Sequence, residues 1–394
     1  MTALVENGRM NIAIIYDNKL EYCPPLVTIA RAIASYGDNV FVICNEADNS
    51  LKKLLGSEDI AVVEMRLKMP TATGKWYSDL RGFRRLPSMI ESNIYKKNKH
   101  DRLKEILTQR AVDILWVACD SRKYFFEDLY LRYPLILQFF ELYDYFPAEN
   151  KIMKLAKHAK RVVVPEYCRA HICASALSLA EIPEILVNKP FSKPLKKMLP
   201  ISDKKTSELI GLAKEKKILL YQGNITSERC PLQLAEASLE FADEYVLVLF
   251  GRTFDGQLNK LLQINPQIVH IPHLPAPAHL EVTSYAHIGL AYYSSHSLNY
   301  VFCAPNKIYE YSGFGIPVLA RDIPGLRYTI GIAGAGLCVE WNTADKIVSG
   351  IKHIEQNYDD MSTSATRFFN ATDNNLTIKN ILSKVKDSGS RQMS

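Results

Sequence analysis

The chain has 394 residues, of which 47% are hydrophobic and 23% charged, and its formal net charge is +6. This length suggests two domains, each able to bury a core. Because no apolar run approaches the ~20 residues of a membrane span and the first residues lack a signal-peptide core, we expect a cytoplasmic protein. The mild basic excess does not indicate a nucleic-acid partner.

The first half of the chain alternates strand and helix patterns. Its predicted strands are 11–17, 39–45, 112–118, 133–141 and 161–166, and an amphipathic helix is predicted over 25–37. Continuous apolar strands with helices between them predict a parallel sheet that is covered on both faces.

A segment with three prolines and several lysines, 185–205, interrupts this alternation and predicts a linker. The pattern then restarts, with strands at 217–224, 245–251, 268–274, 287–293 and 316–320, and helices near 231–242, 256–263, 277–285, 306–314 and 343–357. The predicted fold class is α/β, with two doubly wound, Rossmann-like parallel-sheet domains facing each other across a cleft. We assign residues 1–188 to the first domain, 189–216 to the linker and 217–360 to the second domain. A C-terminal helix at about 360–386 is a candidate to pack back onto the first domain.

The helix predicted near 306–314 carries polar side chains at the carboxyl end of a strand. Lys307, Glu310 and Tyr311 share one helix face. Lys307, beside the helix N-terminal amides, suits a phosphate or pyrophosphate, whereas Glu310 suits sugar hydroxyls. The pair predicts a nucleotide site; a surface ion pair is the alternative.

Further candidates follow neighbouring strands. Gly223 permits close backbone approach and Arg229 lies near the next helix start, which suits a phosphate, although the G-x-G-x-x-G fingerprint is absent. Arg252 is a third candidate cation, or else a solvated loop arginine. The candidate nucleobase contacts are Pro272, His273 and Leu274.

Two carboxylates end a buried strand of the first half. Glu141 and Asp144 are candidate catalytic groups that position or deprotonate a sugar hydroxyl. The alternative is a surface glutamate and a helix-capping aspartate.

The segment 74–100 mixes aromatic and basic side chains, a composition that suits an anionic membrane surface. The candidate membrane or acceptor contacts are Trp76, Arg81, Arg84 and Arg85. Single-stranded nucleic acid and a merely solvated helix are the alternatives.

The eight cysteines are scattered, which favours reduced core thiols. Cys168, His171 and Cys173 cluster, but no fourth ligand has suitable spacing. We therefore expect no metal and no other cofactor.

With these motifs the chain resembles GT-B glycosyltransferases of the group 1, family 4 type. "APNKIYEYSGFGIPVLA" is similar to the family's nucleotide-sugar signature, and "LLYQGNITSERCPLQLAEA" is similar to the opening of its C-terminal domain. "RVVVPEYCRAHICA" followed by "ILVNKP" resembles the segment entering the linker, and "LILQFFELYD" resembles the strand that ordinarily ends in His-Glu. The resemblance implies that Glu310 holds a ribose while Lys307 and Arg229 hold a diphosphate.

Three positions depart from the family pattern. The usual arginine after the glycine is Asn224, and Arg252 is a candidate to compensate for it. The first of two glutamates eight positions apart, which normally touches the donor sugar, is Phe302. The histidine expected before Glu141, near the reacting centre, is Phe140.

The resemblance implies a metal-independent glycosyltransferase of the hexosyltransferase type. Its donor would be a nucleotide-sugar, with a UDP-sugar most expected, and its acceptor a saccharide or lipid-linked saccharide in surface polysaccharide or capsule biosynthesis. Peripheral contact with the inner face of the membrane is an option. Two alternatives stay open: a catalytically silent GT-B nucleotide-binding or scaffold partner, and a GT-B sugar-nucleotide epimerase.

Overall fold

The computed structural model describes residues 9–65, 85–119, 126–143, 151–191 and 197–390. The candidates Trp76, Arg81, Arg84 and Asp144 lie outside these residues, and Arg85 is described only as the first backbone position of a helix.

The first domain contains a seven-stranded parallel sheet. Its strands are β1 (Asn11–Lys19), β2 (Asn39–Glu46), β3 (Ala61–Glu64), β4 (Ile114–Ala118), β5 (Leu135–Gln138), β6 (Arg161–Val164) and β7 (Glu184–Ile185), in the order β3-β2-β1-β4-β5-β6-β7. The helices between them are α1 (Pro24–Ser35), α2 (Asn49–Gly56), α3 (Arg85–Gln109), α4 (Glu127–Tyr130), α5 (Lys151–His158) and α6 (Tyr167–Ala176). Ile12 and Ile14 enter one core while Ala13 and Ile15 enter the other, because successive strand side chains point to opposite faces.

The second domain contains a six-stranded parallel sheet. Its strands are β8 (Lys217–Gln222), β9 (Tyr245–Phe250), β10 (Val269–Ile271), β11 (Ile288–Ala291), β12 (Val318–Arg321) and β13 (Gly336–Val339), in the order β10-β9-β8-β11-β12-β13. Its helices are α7 (Lys204–Ala213), α8 (Leu232–Leu239), α9 (Gln257–Ile264), α10 (His279–Thr283), α11 (Leu298–Val301), α12 (Asn306–Gly313), α13 (Pro324–Leu326), α14 (Ala344–Gln356) and α15 (Tyr358–Asn370). The predicted fold class is confirmed, although strands such as β5 and β10 end earlier than their apolar runs suggest.

The segment predicted as a linker contains a helix of the second domain. Asp203 caps α7 by accepting a hydrogen bond from the Thr206 amide, and Ile210 and Ala213 enter the core beneath the sheet. Because lysines occupy the first positions of this helix, the helical spacing of its apolar residues is not evident from the sequence.

The chain crosses between the domains twice, and the two crossings are bonded together. The last helix, α16 (Asn374–Ser390), returns to the first domain, where Ile378 and Ile381 join the core that also contains residues of α1. Asn374 Nδ2 donates to the Val187 carbonyl, and Lys189 Nζ donates to the Thr372 carbonyl.

Candidate functional site

The carboxyl ends of both sheets face a cavity of about 720 Å³ between the domains, here called the interdomain cleft. This volume is typical of small-molecule sites. The predicted residues that line it are Glu141, Gly223, Arg229, Arg252, His273, Leu274, Lys307 and Glu310. Pro272 is exposed and does not line the cleft.

Lys307 is a buried cation at the start of α12. Its side chain is only 7% exposed, and Nζ lies 4.4 Å from the centre of the Tyr221 ring. Burial, reinforced by the charge of Arg229, lowers the pKa of Lys307 to about 7. Since Glu310 is also buried, at 6% exposure, the two residues do not form the surface pair that was the alternative. Two cations held together in a cleft suit an anionic ligand.

Arg229 is held between aromatic rings. Its guanidinium carbon lies 5.5 Å from the ring centre of Tyr293 and 5.2 Å from that of Tyr300, and Nε donates to the Tyr300 hydroxyl at 3.3 Å. Cation–π contacts with both rings and this hydrogen bond hold the guanidinium in place.

Two glycines shape the loops beside these cations. Gly223 has φ of +132°, and a β-carbon placed there would lie 3.2 Å from Lys307 Nζ. A β-carbon at Gly251, where φ is +147°, would lie 2.0 Å from the Gly223 carbonyl oxygen. Gly251, which the sequence analysis did not single out, therefore permits the approach of the two loops that places Gly223 against Lys307.

Glu310 is oriented by a polar network that sequence reasoning missed. It accepts hydrogen bonds from Gln222 Nε2 and, at 2.9 Å, from His279 Nε2. Gln222 Oε1 in turn accepts from the Thr283 hydroxyl at 2.8 Å. The one available signal was the position of Gln222 at the carboxyl end of a buried strand. A carboxylate fixed in this way can accept further hydrogen bonds from ligand hydroxyls.

Tyr311 anchors α12 to the sheet instead of facing the cleft. Its hydroxyl donates to the Leu220 carbonyl at 2.8 Å, and its ring lies where a β-carbon of Gly289 would be. The helix that carries Lys307 and Glu310 is thus packed against β8 and β11.

Arg252 and His273 line the interdomain cleft. Arg252 is exposed, and its guanidinium carbon lies 5.2 Å from the ring centre of Tyr22, a first-domain residue. Burial lowers the pKa of His273, and the charges of Arg252 and His279 lower it further. Arg252, a second-domain residue, therefore contacts the first-domain side of the cleft.

Glu141 is held by the second domain. Its carboxylate accepts from Asn299 Nδ2, while Asn299 Oδ1 accepts from the Leu142 amide at 2.9 Å. The buried Arg169 guanidinium also donates to Asn299 Oδ1, at 2.9 Å, and to the Phe140 carbonyl, at 2.6 Å. Arg169 lies inside the Cys168–Cys173 segment that was weighed as a metal site, and its interdomain role was not predicted.

Phe140 and Phe302, which replace polar residues of the family pattern, pack in or against the two cores of the first domain. Phe140 is buried in one core cluster, and Phe302, although part of the second domain's chain, packs against the other. Neither supplies a polar group to the cleft.

No group of three or more His, Cys, Asp or Glu side chains within the described ranges has the arrangement of a metal site. All eight cysteines lie in the described ranges, and no disulfide links any of them. Within the same part of the chain, no helix is long and apolar enough to cross a membrane.

No family model and no curated protein matches the sequence. Solved structures match along nearly the whole chain. A glycosyltransferase from Rickettsia africae is 16% identical with a TM-score of 0.66, over 96% of this chain and 98% of that one. Anabaena HepE in complex with UDP-glucose is 14% identical with a TM-score of 0.66, over 97% and 100%. A Listeria monocytogenes protein assigned as a UDP-N-acetylglucosamine 2-epimerase is 14% identical with a TM-score of 0.64, over 98% of each chain.

At these identities the likeness shows the fold. The chain has the GT-B fold, and its resemblance to GT-B glycosyltransferases is confirmed at that level.

Proposed function

We propose that this protein is a glycosyltransferase that moves a sugar from a nucleoside diphosphate donor to an acceptor hydroxyl. The observation that carries the proposal is the pair of Lys307 and Glu310, a buried cation and a buried carboxylate one helical turn apart in the interdomain cleft. This spacing suits the pyrophosphate and the ribose of one nucleotide. UDP-sugars are the first donors to test, because HepE, which shares the fold, binds UDP-glucose.

In the proposed mechanism, the second domain binds the leaving group, which is the nucleoside diphosphate. Lys307, Arg229 and the N-terminal amides of α12 stabilise the charge that develops on the diphosphate as the glycosidic bond breaks. These cations take the role of a metal, so the proposed hexosyl transfer needs none. Glu141, on the first-domain side, is the proposed group that accepts the proton of the acceptor hydroxyl.

Calorimetric titration tests the donor site. Wild-type protein is titrated with UDP, GDP, CMP and ADP, and the titration is repeated with Lys307→Ala and Glu310→Ala. The exposed residues Lys260 and Glu236 provide matched controls as alanine variants. We expect one diphosphate to bind in the micromolar range and each site substitution to weaken it by about 1–3 kcal/mol. Absence of binding by all four nucleotides contradicts the proposal.

The positions of Phe140 and Phe302 favour a second candidate, a catalytically silent GT-B protein that binds nucleotide. Both rings pack in the first-domain cores where the family pattern has polar groups. Donor hydrolysis without an acceptor separates the two functions: a rate above background that falls in Glu141→Gln supports the transferase. NMR of the donor sugar in the same samples detects epimerisation, the remaining alternative.

For the acceptor we propose a lipid-linked saccharide used in surface polysaccharide or capsule assembly, with peripheral binding at the inner membrane face. The basic and aromatic composition of 74–100 supports this. We expect substitution of Arg81, Arg84 and Arg85 by Glu to abolish binding to anionic vesicles. A matched control replaces the exposed Lys96, Lys97 and Lys104 by Glu. An equal loss of vesicle binding in both triple variants would show that binding depends only on the net charge of the protein and not on these three arginines.

A further inference from the structure

Three side-chain polar atoms in the cleft are buried and have no hydrogen-bond partner among the described residues. They are Glu21 Oε2, Asn188 Oδ1 and His279 Nδ1. All three residues line the interdomain cleft and also a smaller, mainly apolar pocket that adjoins it. Buried polar atoms are nearly always paired, so this lining calls for a ligand.

The chemistry of two of these atoms is set by their neighbours. Asn188 is 8% exposed, and its Nδ2 donates to the Ala304 carbonyl at 2.8 Å, which leaves Oδ1 as an acceptor. His279 Nε2 donates to Glu310, so the Nδ1 edge of its ring is the part that remains open to a ligand. A ligand that pairs with Asn188 Oδ1 must bring a donor, as the hydroxyl groups of a polyhydroxy compound do.

Asn188 and His279 are bonded to residues on either side of Lys307 in the chain. Asn188 is bonded at Ala304, which precedes Lys307, whereas His279 is bonded to Glu310, which follows Lys307. In a nucleotide-sugar the diphosphate separates the ribose from the transferred sugar. With the diphosphate at Lys307 and the ribose at Glu310, the transferred sugar would extend toward Ala304, the residue to which Asn188 is bonded.

Phe302 stands where the family that this chain resembles has a glutamate that touches the donor sugar. Its ring packs against the first-domain core and so offers the sugar no polar group. We propose that Asn188 Oδ1, together with Glu21 Oε2 from the first domain, accepts hydrogen bonds from hydroxyl groups of the donor's sugar ring. This inference rests on the proposed function. It places sugar recognition on the interdomain crossing and the loop after β1.

Calorimetry with paired ligands tests the inference. UDP is compared with UDP-glucose, UDP-galactose and UDP-N-acetylglucosamine, and GDP with GDP-mannose. We expect Asn188→Ala to weaken the bound nucleotide-sugar about fivefold to tenfold and to leave the matching diphosphate within about twofold. The control is Asn374→Ala, because Asn374 is similarly buried, donates to the Val187 carbonyl at the same crossing, and lines neither cavity.

A selective loss for the nucleotide-sugar in Asn188→Ala, absent from Asn374→Ala, supports the inference. An equal change for diphosphate and nucleotide-sugar, or no change for either, overturns it while the proposed function stands. Failure of wild-type protein to bind any diphosphate removes the proposed function itself. Glu21→Gln, which keeps the side chain's shape at a partly exposed position, gives the same comparison if Asn188→Ala does not fold.

Discussion

The ammonium of Lys307 lies against Gly223, so closely that a β-carbon at position 223 would stand 3.2 Å from Nζ. Lys307 on α12 and Gly223 in the loop after β8 are therefore packed against each other at the cleft. The ammonium has room there only because the loop residue has no side chain.

We expect Gly223→Ala to lower nucleoside diphosphate affinity at least tenfold. The new methyl group displaces the Lys307 ammonium, and φ of +132° strains any residue with a β-carbon. Gly256→Ala is the control, since its φ of +68° is also positive but nothing lies within 4 Å of the added atom. Calorimetric titration measures both variants. Equal affinities in the two variants would show that the contact with Lys307 is unimportant.

Diphosphate affinity should depend on pH through Lys307. The pKa of this residue is about 7, because burial and then Arg229 disfavour its charged form, and a bound diphosphate favours that form. Above pH 7 the free protein has lost the proton that the complex retains, so affinity falls as pH rises from 7 to 9, with a limiting slope of about tenfold per unit.

Titration in two buffers of different ionisation enthalpy should detect proton uptake on binding at pH 8. In Lys307→Met both the uptake and this part of the pH dependence should disappear. A wild-type affinity that stays constant between pH 7 and 9 contradicts the prediction.

Glu310→Gln should weaken binding by about 1.5–3 kcal/mol, because hydrogen bonds to a charged acceptor are replaced by weaker ones. The loss should depend on the ribose: nucleotides that lack the 2′ and 3′ hydroxyls should bind wild type and variant almost equally. Calorimetry with both nucleotide types measures this. If the substitution weakens the dideoxy nucleotide as much as the normal one, Glu310 acts on something other than the ribose.

Arg169→Met should destabilise the protein by about 2–4 kcal/mol. The guanidinium is 4% exposed and donates to the Phe140 carbonyl within the first domain and to the Phe302 carbonyl of the second domain, and both carbonyls would lose these bonds. Urea unfolding measures the change. Arg132→Met is the control, since Arg132 is exposed and donates to a carbonyl within its own helical region. A similar small effect in both variants would contradict the prediction.

Local patterns were enough to predict the architecture and the centre of the candidate site. Apolar strand runs separated by helices indicate two parallel sheets, and both are present. The spacing of Lys307 and Glu310 places them on one helix face whatever surrounds the helix. Both features depend on residues that are neighbours in the chain.

Only the tertiary structure decided what surrounds that centre. Arg169 bonds to Phe302, 133 positions away, and Asn188 bonds to Ala304, 116 positions away. Nothing in the local sequence around either residue distinguishes a buried interdomain bond from a surface side chain. The amino-acid sequence by itself determined the α/β fold class and the Lys307–Glu310 pair, because helix and strand periodicity are local properties. The burial that lowers the pKa of Lys307, and the meeting of both domains at Glu141 and Asn188, were decided by the fold, because burial and long-range contact exist only after the chain has packed.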